Sequence, residues 1–186
     1  MGRVEEIWLY PVRSLAGTSV PAATIGPAGL VGDRARTAVD ADGRMVRAKD
    51  TPAMRDVRAT GDRDADTAAL TAVLGAPVRL VDTPEDLPGV APVHLVSRGA
   101  VVRAAAGNVP EGCSADDPRA NLLLDLVDDD ERAWVGRTLR VGNAVLTITR
   151  TPKHCLGVYA DVGTPGDVTV GDAVLLDVRG QEQASH

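Results

Sequence analysis

Three two-residue turns constrain what this chain can fold into. Asp42-Gly43, Gly142-Asn143 and Gly171-Asp172 each separate two short β-prone runs. Such pairs accept the positive φ that a tight hairpin needs, so each predicts two directly joined antiparallel strands. The arms are residues 36–40 and 44–48, then 137–141 and 144–149, then 168–170 and 173–178.

Further strands are predicted over residues 4–12, ended or kinked at Pro11, and over residues 18–25, where Pro21 marks an edge. Residues 54–59, 78–81, 93–96 and 121–126 add short β-prone runs. Helical spacing is confined to two places. Asp66 is a plausible N-cap for a helix with Leu70, Val73 and Leu74 on one face and Gly75 at its end. Ser97 caps a second helix carrying Ala100, Val101, Ala104 and Ala105. Many short strands with one to three short helices predict a mainly β fold, a closed and mostly antiparallel barrel.

Residues 83–92 hold three prolines in ten positions and read as a connection. They divide an N-terminal β unit, residues 1–83, from a main body over 92–179, followed by a polar tail at 180–186. Residues 107–118 read as a loop containing Cys113. Asp128-Asp129-Asp130-Glu131 reads as a solvated helix start.

Composition narrows the function. The chain of 186 residues is 44% apolar, enough for a core without staples. It has no Phe, and Trp8, Trp134, Tyr10 and Tyr159 are its aromatics. With a net charge of −6 and few stacking faces, it is not expected to bind nucleic acid. Lys49 and Lys153 are the only lysines among 20 basic residues, so a single Arg says little about anion binding. Two cysteines make no disulfide framework. The N-terminal residues run straight into a strand pattern without an apolar signal core, and no window approaches a membrane span. A cytoplasmic chain with reduced thiols and no membrane partner is the expectation.

Residues 147–159 carry the chemistry. They place Cys155 beside Lys153 and His154, and nearby positive charge favours the reactive thiolate. A lone cysteine is more often an inert, buried small hydrophobe. Other constellations are weaker. His94, His154, Cys113 and Cys155 lack the spacing of a structural zinc site. His94 as the base of a Cys-His hydrolase has no local support, and a core or surface histidine is the commoner case. No nucleophile elbow, P-loop or dinucleotide fingerprint is present. Arg13, Arg34, Arg119 and Lys153 fall at loop positions. Together they would suit an anionic cofactor, although each alone is more often a surface charge.

The order of several motifs resembles the MOSC-domain family, named for the C-terminal domain of molybdenum-cofactor sulfurases. The residues concerned are Tyr10-Pro11-Val12-Arg13-Ser14-Leu15, Gly29-Leu30-Val31-Gly32-Asp33-Arg34 with a strand ending at Asp40, and His94-Leu95-Val96-Ser97. Arg119-Ala120-Asn121-Leu122, Trp134-Val135-Gly136 with its hairpin, and Cys155 complete the series. The chain departs from the family pattern at Arg13 (usually lysine), Ala120 (usually proline), Arg36-Thr37 (where an aromatic is common) and His154 (usually arginine). The family's motif after the cysteine is only suggested by Asp161 and Thr164-Pro165-Gly166.

The resemblance implies a molybdopterin-type molybdenum cofactor with Cys155 as the metal's thiolate ligand. It implies Arg13, Ser14, Arg34, Arg119 and Asn121 as cofactor-binding residues, with Lys153 and His154 tuning the thiolate or meeting substrate. The implied activity is reduction of N-hydroxylated small molecules, as in the amidoxime-reducing relatives, with electrons from a separate donor protein. Two alternatives stand beside it. One is a module that carries or sulfurates the cofactor without turnover. The other is a cofactor-free fold using Cys155 as nucleophile or persulfide carrier.

Overall fold

The structure is a computed structural model describing residues 2–84, 91–108, 118–127, 130–153 and 155–177. Cys113, His154, Asp128, Asp129 and the tail 180–186 lie outside the described residues, as does most of the proline-rich connection. The strands are β1 (Gly2–Leu9), β2 (Thr18–Val20), β3 (Ala22–Gly26), β4 (Gly29–Leu30), β5 (Arg36–Val39), β6 (Arg79–Asp82), β7 (Val93–Ser97), β8 (Leu122–Leu126), β9 (Thr138–Val141), β10 (Ala144–Arg150), β11 (Val158–Thr164), β12 (Gly166–Thr169) and β13 (Ala173–Leu176). The helices are α1 (Arg63–Leu74) and α2 (Arg98–Ala105). Two compact units emerge, each assembled from separate stretches. The first is Met1–Ile7, Pro21–Gly29 and Ala91–His186; the second is Trp8–Val20 and Leu30–Val90.

The first unit is a closed barrel of seven strands. The order is β13-β9-β10-β11-β7-β8-β1, and β13 closes onto β1 with Gly2 opposite Val174. Every neighbouring pair is antiparallel except β7–β8. The mainly β, mostly antiparallel barrel read from the turns is therefore the observed fold. The residues explain the closure. In β8 the apolar positions 122, 124 and 126 are buried and their neighbours are not, and β10 alternates the same way. Strand β7 is buried at all five positions because α2 packs on its outer side. Val96, Ala100, Ala104, Ala120 and Leu156 form the cluster there. Helix α2 starts where expected, with the Ser97 side chain accepting from Ala100 N.

The hairpin at Gly142-Asn143 forms as β9–β10. The one at Gly171-Asp172 does not. The turn closes, with Asp172 N donating to the Thr169 carbonyl at 3.0 Å. Its arms then diverge: β12 pairs with β3, while β13 pairs with β9 and β1. The arms find longer-range partners that complete the barrel. Residues 18–25, read as one strand, are two (β2 and β3), broken at Pro21.

The second unit packs Val12, Leu15, Met54, Leu70 and Leu80 into its own core. Its hairpin at Asp42-Gly43 is half formed. Asp40 N donates to the Arg44 carbonyl, but Met45 makes only an isolated bridge to Val39, and β5 pairs with β6 instead. Residues 54–59, expected to be a strand, begin within a 3₁₀ helix over Pro52–Asp56. Pro52 at its first position explains the start, since proline pre-sets a helical φ and has no donor to lose there. Helix α1 is capped by Asp62, which accepts from Asp64 N and Ala65 N. Asp66 is not the cap. It is 1% exposed and accepts from Thr60 N, Thr60 Oγ1 and Gly61 N, holding the approach to the helix. Gly75 ends the helix at φ 65°, as read from the sequence.

Candidate functional site

Cys155 lies on residues 151–157, the connection from β10 to β11. Strand β10 reaches it through a bulge. Ile148 pairs with Ala160 and Arg150 with Tyr159, so Thr149 is the extra residue. Bulges re-aim a strand and recur beside functional sites. Thr149 Oγ1 donates to the Tyr159 carbonyl, and the Arg150 guanidinium lies 5.1 Å from the Tyr159 ring centroid. Past the bulge, Pro152 is buried, Lys153 is exposed and Cys155 is half-buried and in no disulfide.

The connection folds onto the outer side of β7. Leu156 is 2% exposed and enters the cluster beneath α2. Gly157 has φ 78°, and a Cβ there would stand 2.0 Å from the Leu95 carbonyl oxygen. Only glycine fits so close an approach.

Of the core or surface histidine expected at His94, the structure gives the core one, 5% exposed on the outer face of β7. Its Nε2 lies 2.7 Å from the Leu156 carbonyl oxygen. A carbonyl only accepts, so Nε2 carries the proton. Tyr159 meets the imidazole edge to face at 4.8 Å. Asn121, wholly buried, clamps the His94 backbone from the residue before β8. Asn121 N donates to the His94 carbonyl at 2.8 Å, and His94 N donates to Asn121 Oδ1 at 3.1 Å. Two residues before Asn121, Arg119 takes φ 52°.

The other basic residues belong to the second unit. Arg13 follows the Pro11 bend and is fixed by its N–H donating to the Arg36 carbonyl at 2.8 Å. Its Nη1 is buried without a hydrogen-bond partner. Burial first, then the neighbouring charges of Arg34 and Arg47, pull the Arg13 pKa below its ordinary value. Arg47 was not singled out by the sequence, because nothing local distinguishes it from other exposed arginines. Ser14 takes φ 70° and Arg34 φ 48°. Arg34 lies over the Tyr10 ring at 4.8 Å and forms an ion pair with Asp33. Asp33 Oδ1 in turn accepts from Tyr10 N at 2.8 Å, and Arg34 N donates to the Tyr10 carbonyl at 2.6 Å.

Among the described residues, the non-glycine residues with positive φ are Ser14, Arg34 and Arg119. Left-handed backbone costs an L-residue roughly 1–2 kcal/mol. Such strain gathers at binding and catalytic sites. A desolvated guanidinium beside two like charges is suited to an anion such as phosphate, which would satisfy the orphaned donor and relieve the repulsion. Among the described residues no three His, Cys, Asp or Glu side chains gather to hold a metal ion. Of the zinc candidates, His94 spends its Nε2 on a backbone carbonyl.

Comparison with known proteins agrees with this architecture. The model of the MOSC N-terminal beta barrel domain matches residues 1–86. The match is to that domain and ends at residue 86, and over this stretch it agrees with the resemblance read from the motifs. Among solved structures, the YuaD protein of Bacillus subtilis is similar at a TM-score of 0.56 and 13% identity, covering 94% of each chain. A hypothetical protein is similar at a TM-score of 0.55 and 13% identity, covering 98% of this chain and 71% of its own. These likenesses concern the fold. Comparison with curated proteins gives no match.

Proposed function

We propose that the protein binds a molybdopterin-type molybdenum cofactor, with Cys155 as thiolate ligand to the metal, and reduces N-hydroxylated small molecules. The observation that carries this reading is the coincidence of strain and assignment. Ser14, Arg34 and Arg119, three of the five residues that the family pattern assigns to the cofactor, are the non-glycine residues held at positive φ among the described residues. The orphaned Nη1 of Arg13, a fourth, fits a phosphate group.

Each residue then has a role drawn from its own chemistry. Arg13 and Arg34 bind phosphate oxygens, and Ser14 adds a hydroxyl beside them. Arg119 hydrogen-bonds the pterin. Asn121 acts through the His94 backbone that it clamps. Cys155 offers a soft thiolate, and Lys153 favours its ionised form. The bound cofactor supplies two-electron chemistry, in which N–O oxygen leaves as water and two protons are taken up. Substrate access fits a cavity of about 390 Å³ beside the cysteine connection, lined by Leu156, Gly157, Ala100, Arg103, Glu131 and Arg132 among others. Its size and mixed charge suit a small polar molecule. A separate protein supplies electrons, and a cytoplasmic setting keeps the thiol reduced.

The test is elemental analysis after expression in a host that makes the cofactor. Wild type is expected to carry about one molybdenum per chain and Cys155→Ala much less. Equal, stoichiometric metal in both removes Cys155 as ligand. Metal-free wild type from a host whose other molybdoenzymes are loaded overturns the cofactor reading. A persulfide on Cys155 in that sample would point to sulfur carriage instead.

A further inference from the structure

We propose that Arg47 is a third anion-binding residue, joining Arg13 and Arg34 to hold the phosphate group of a phosphate monoester. Arg47 is not among the residues that the family pattern assigns. The inference rests on the reading of Arg13 and Arg34 as phosphate-binding residues, and no metal takes part in it.

The backbone brings the three residues together within the second unit. One edge of β5 pairs with β6. Its other edge receives two separate runs of chain. Arg36 N donates to the Pro11 carbonyl at 3.2 Å, and Arg13 N to the Arg36 carbonyl at 2.8 Å. Two positions on, Val46 N donates to the Ala38 carbonyl at 2.9 Å. The first run is parallel to β5 and the second antiparallel, so they advance on each other along this edge. Strand residues two apart are separated by roughly 6.5–7 Å. Arg13, at the front of one run, therefore meets Arg47, at the front of the other. Ser14, at φ 70°, then turns the first run aside. Arg34 joins them from just before β5, its N–H donating to the Tyr10 carbonyl at 2.6 Å. The position of Arg47 is fixed by its own carbonyl, which accepts from Asp50 N and Thr51 N at 3.0 Å each, and by Ala48, buried in the unit's core.

Charge argues for a ligand at this meeting point. Acidic residues outnumber basic ones in the chain, 26 to 20. In the same unit Arg34, Arg44 and Arg63 each pair with a carboxylate. Arg13 and Arg47 form no ion pair among the described residues, although Asp50 stands three residues from Arg47. Arg13 also buries Nη1 without a hydrogen-bond partner. After burial itself, the charges of Arg34 and then Arg47 depress the Arg13 pKa. An anion offsets such repulsion, and a phosphate dianion accepts from several guanidinium N–H groups at once. Arg47 is exposed, which leaves the outer side of the site open to the organic part of an ester.

The test is calorimetric titration of metal-free full-length protein with glycerol 3-phosphate and, separately, with inorganic phosphate, at constant ionic strength. Four forms are compared: wild type, Arg47→Met, Arg47→Lys and Arg44→Met. Arg44 lies on the same hairpin and is paired with Asp42, so Arg44→Met changes the net charge equally without touching the site. Wild type is expected to bind the ester about as tightly as inorganic phosphate. Arg47→Met is expected to weaken both about fivefold or more, Arg47→Lys to restore part of the loss, and Arg44→Met to stay within about twofold of wild type.

Unchanged affinity in Arg47→Met overturns this inference alone, as does an equal loss in Arg44→Met. Binding of inorganic phosphate without the ester overturns the ligand class. Failure of wild type to bind either one overturns the site itself, Arg13 and Arg34 included. The Arg47 Nε–Hε resonance of wild type, identified by its loss in Arg47→Met, gives a reading that needs no variant to bind. It is expected to shift as the ester is added, and a resonance that stays in place refutes the inference. Expressed protein without molybdenum would leave all of these results unchanged.

Discussion

Gly157→Ala asks how tightly the cysteine connection is tied to the barrel. Two costs can be separated. The backbone sits at φ 78°, where an L-residue loses roughly 1–2 kcal/mol relative to glycine. The new Cβ would also stand 2.0 Å from the Leu95 carbonyl oxygen and 2.7 Å from Val96 Cγ2. Carbon–oxygen contacts settle near 3.3–3.6 Å, so connection and strand must part by more than about 1 Å. Leu95 is paired with Val158 across β7–β11, so it cannot retreat without loosening the barrel.

Overpacking of this kind costs typically 1–3 kcal/mol. The sum is about 2–5 kcal/mol, or a fall in Tm of about 4–20 °C for a chain of this length. Gly171→Ala is the matched control in the same unit. It has φ 96° and nothing within 4 Å of its Cβ position, so it bears the backbone cost alone. Melting followed by circular dichroism should place Gly157→Ala below Gly171→Ala by about 2–4 °C or more. Equal melting would mean that the connection does not press on β7.

Other expectations follow from the same structure. Asp66→Ala removes the buried acceptor of three donors and should cost about 1–3 kcal/mol in urea unfolding; Asp66→Asn, keeping one carbonyl, should cost less. Inorganic phosphate at ten times a Kd of about 1 mM should stabilise wild type by about 1.4 kcal/mol, raising Tm by about 3–6 °C. Arg13→Met should abolish that rise at constant ionic strength, and a rise retained in full would remove Arg13 from the anion site. Without phosphate, Arg13→Met should melt no lower than wild type, because it relieves desolvation and repulsion by Arg34 and Arg47.

What could be read in advance depended on how far apart the deciding residues were. Gly142-Asn143 announced its hairpin because both arms lie within ten residues of the turn. Gly171-Asp172 carried the same signal, yet its arms answer to β3 and β1, far away in the chain. Met54 has the side chain of a strand residue, but Pro52 and a core contact make it part of a 3₁₀ turn. Asp66 looked like a cap because it precedes an apolar face; Asp62, four residues earlier, had the equal claim and took it.

At the site, motif order singled out Ser14, Arg34 and Arg119, but their strained backbone appears only in three dimensions. His94 read as a core or surface histidine, and only the fold makes it a core one. Its partner could not be read, since nothing near residue 94 names the carbonyl of residue 156.

The closure of β13 on β1 sets an order of events on the ribosome. Gly2 leaves long before its partner Val174. The second unit is complete once Val90 has been made, so it can consolidate while β1 still waits. Until β13 arrives, β9 presents an unpaired edge to any neighbouring chain. Nascent chains that stall after β12 should therefore be prone to associate, and release of β13 ends that exposure. A circular permutant that places β1 directly after β13 would turn this long-range pairing into a local one and should fold faster.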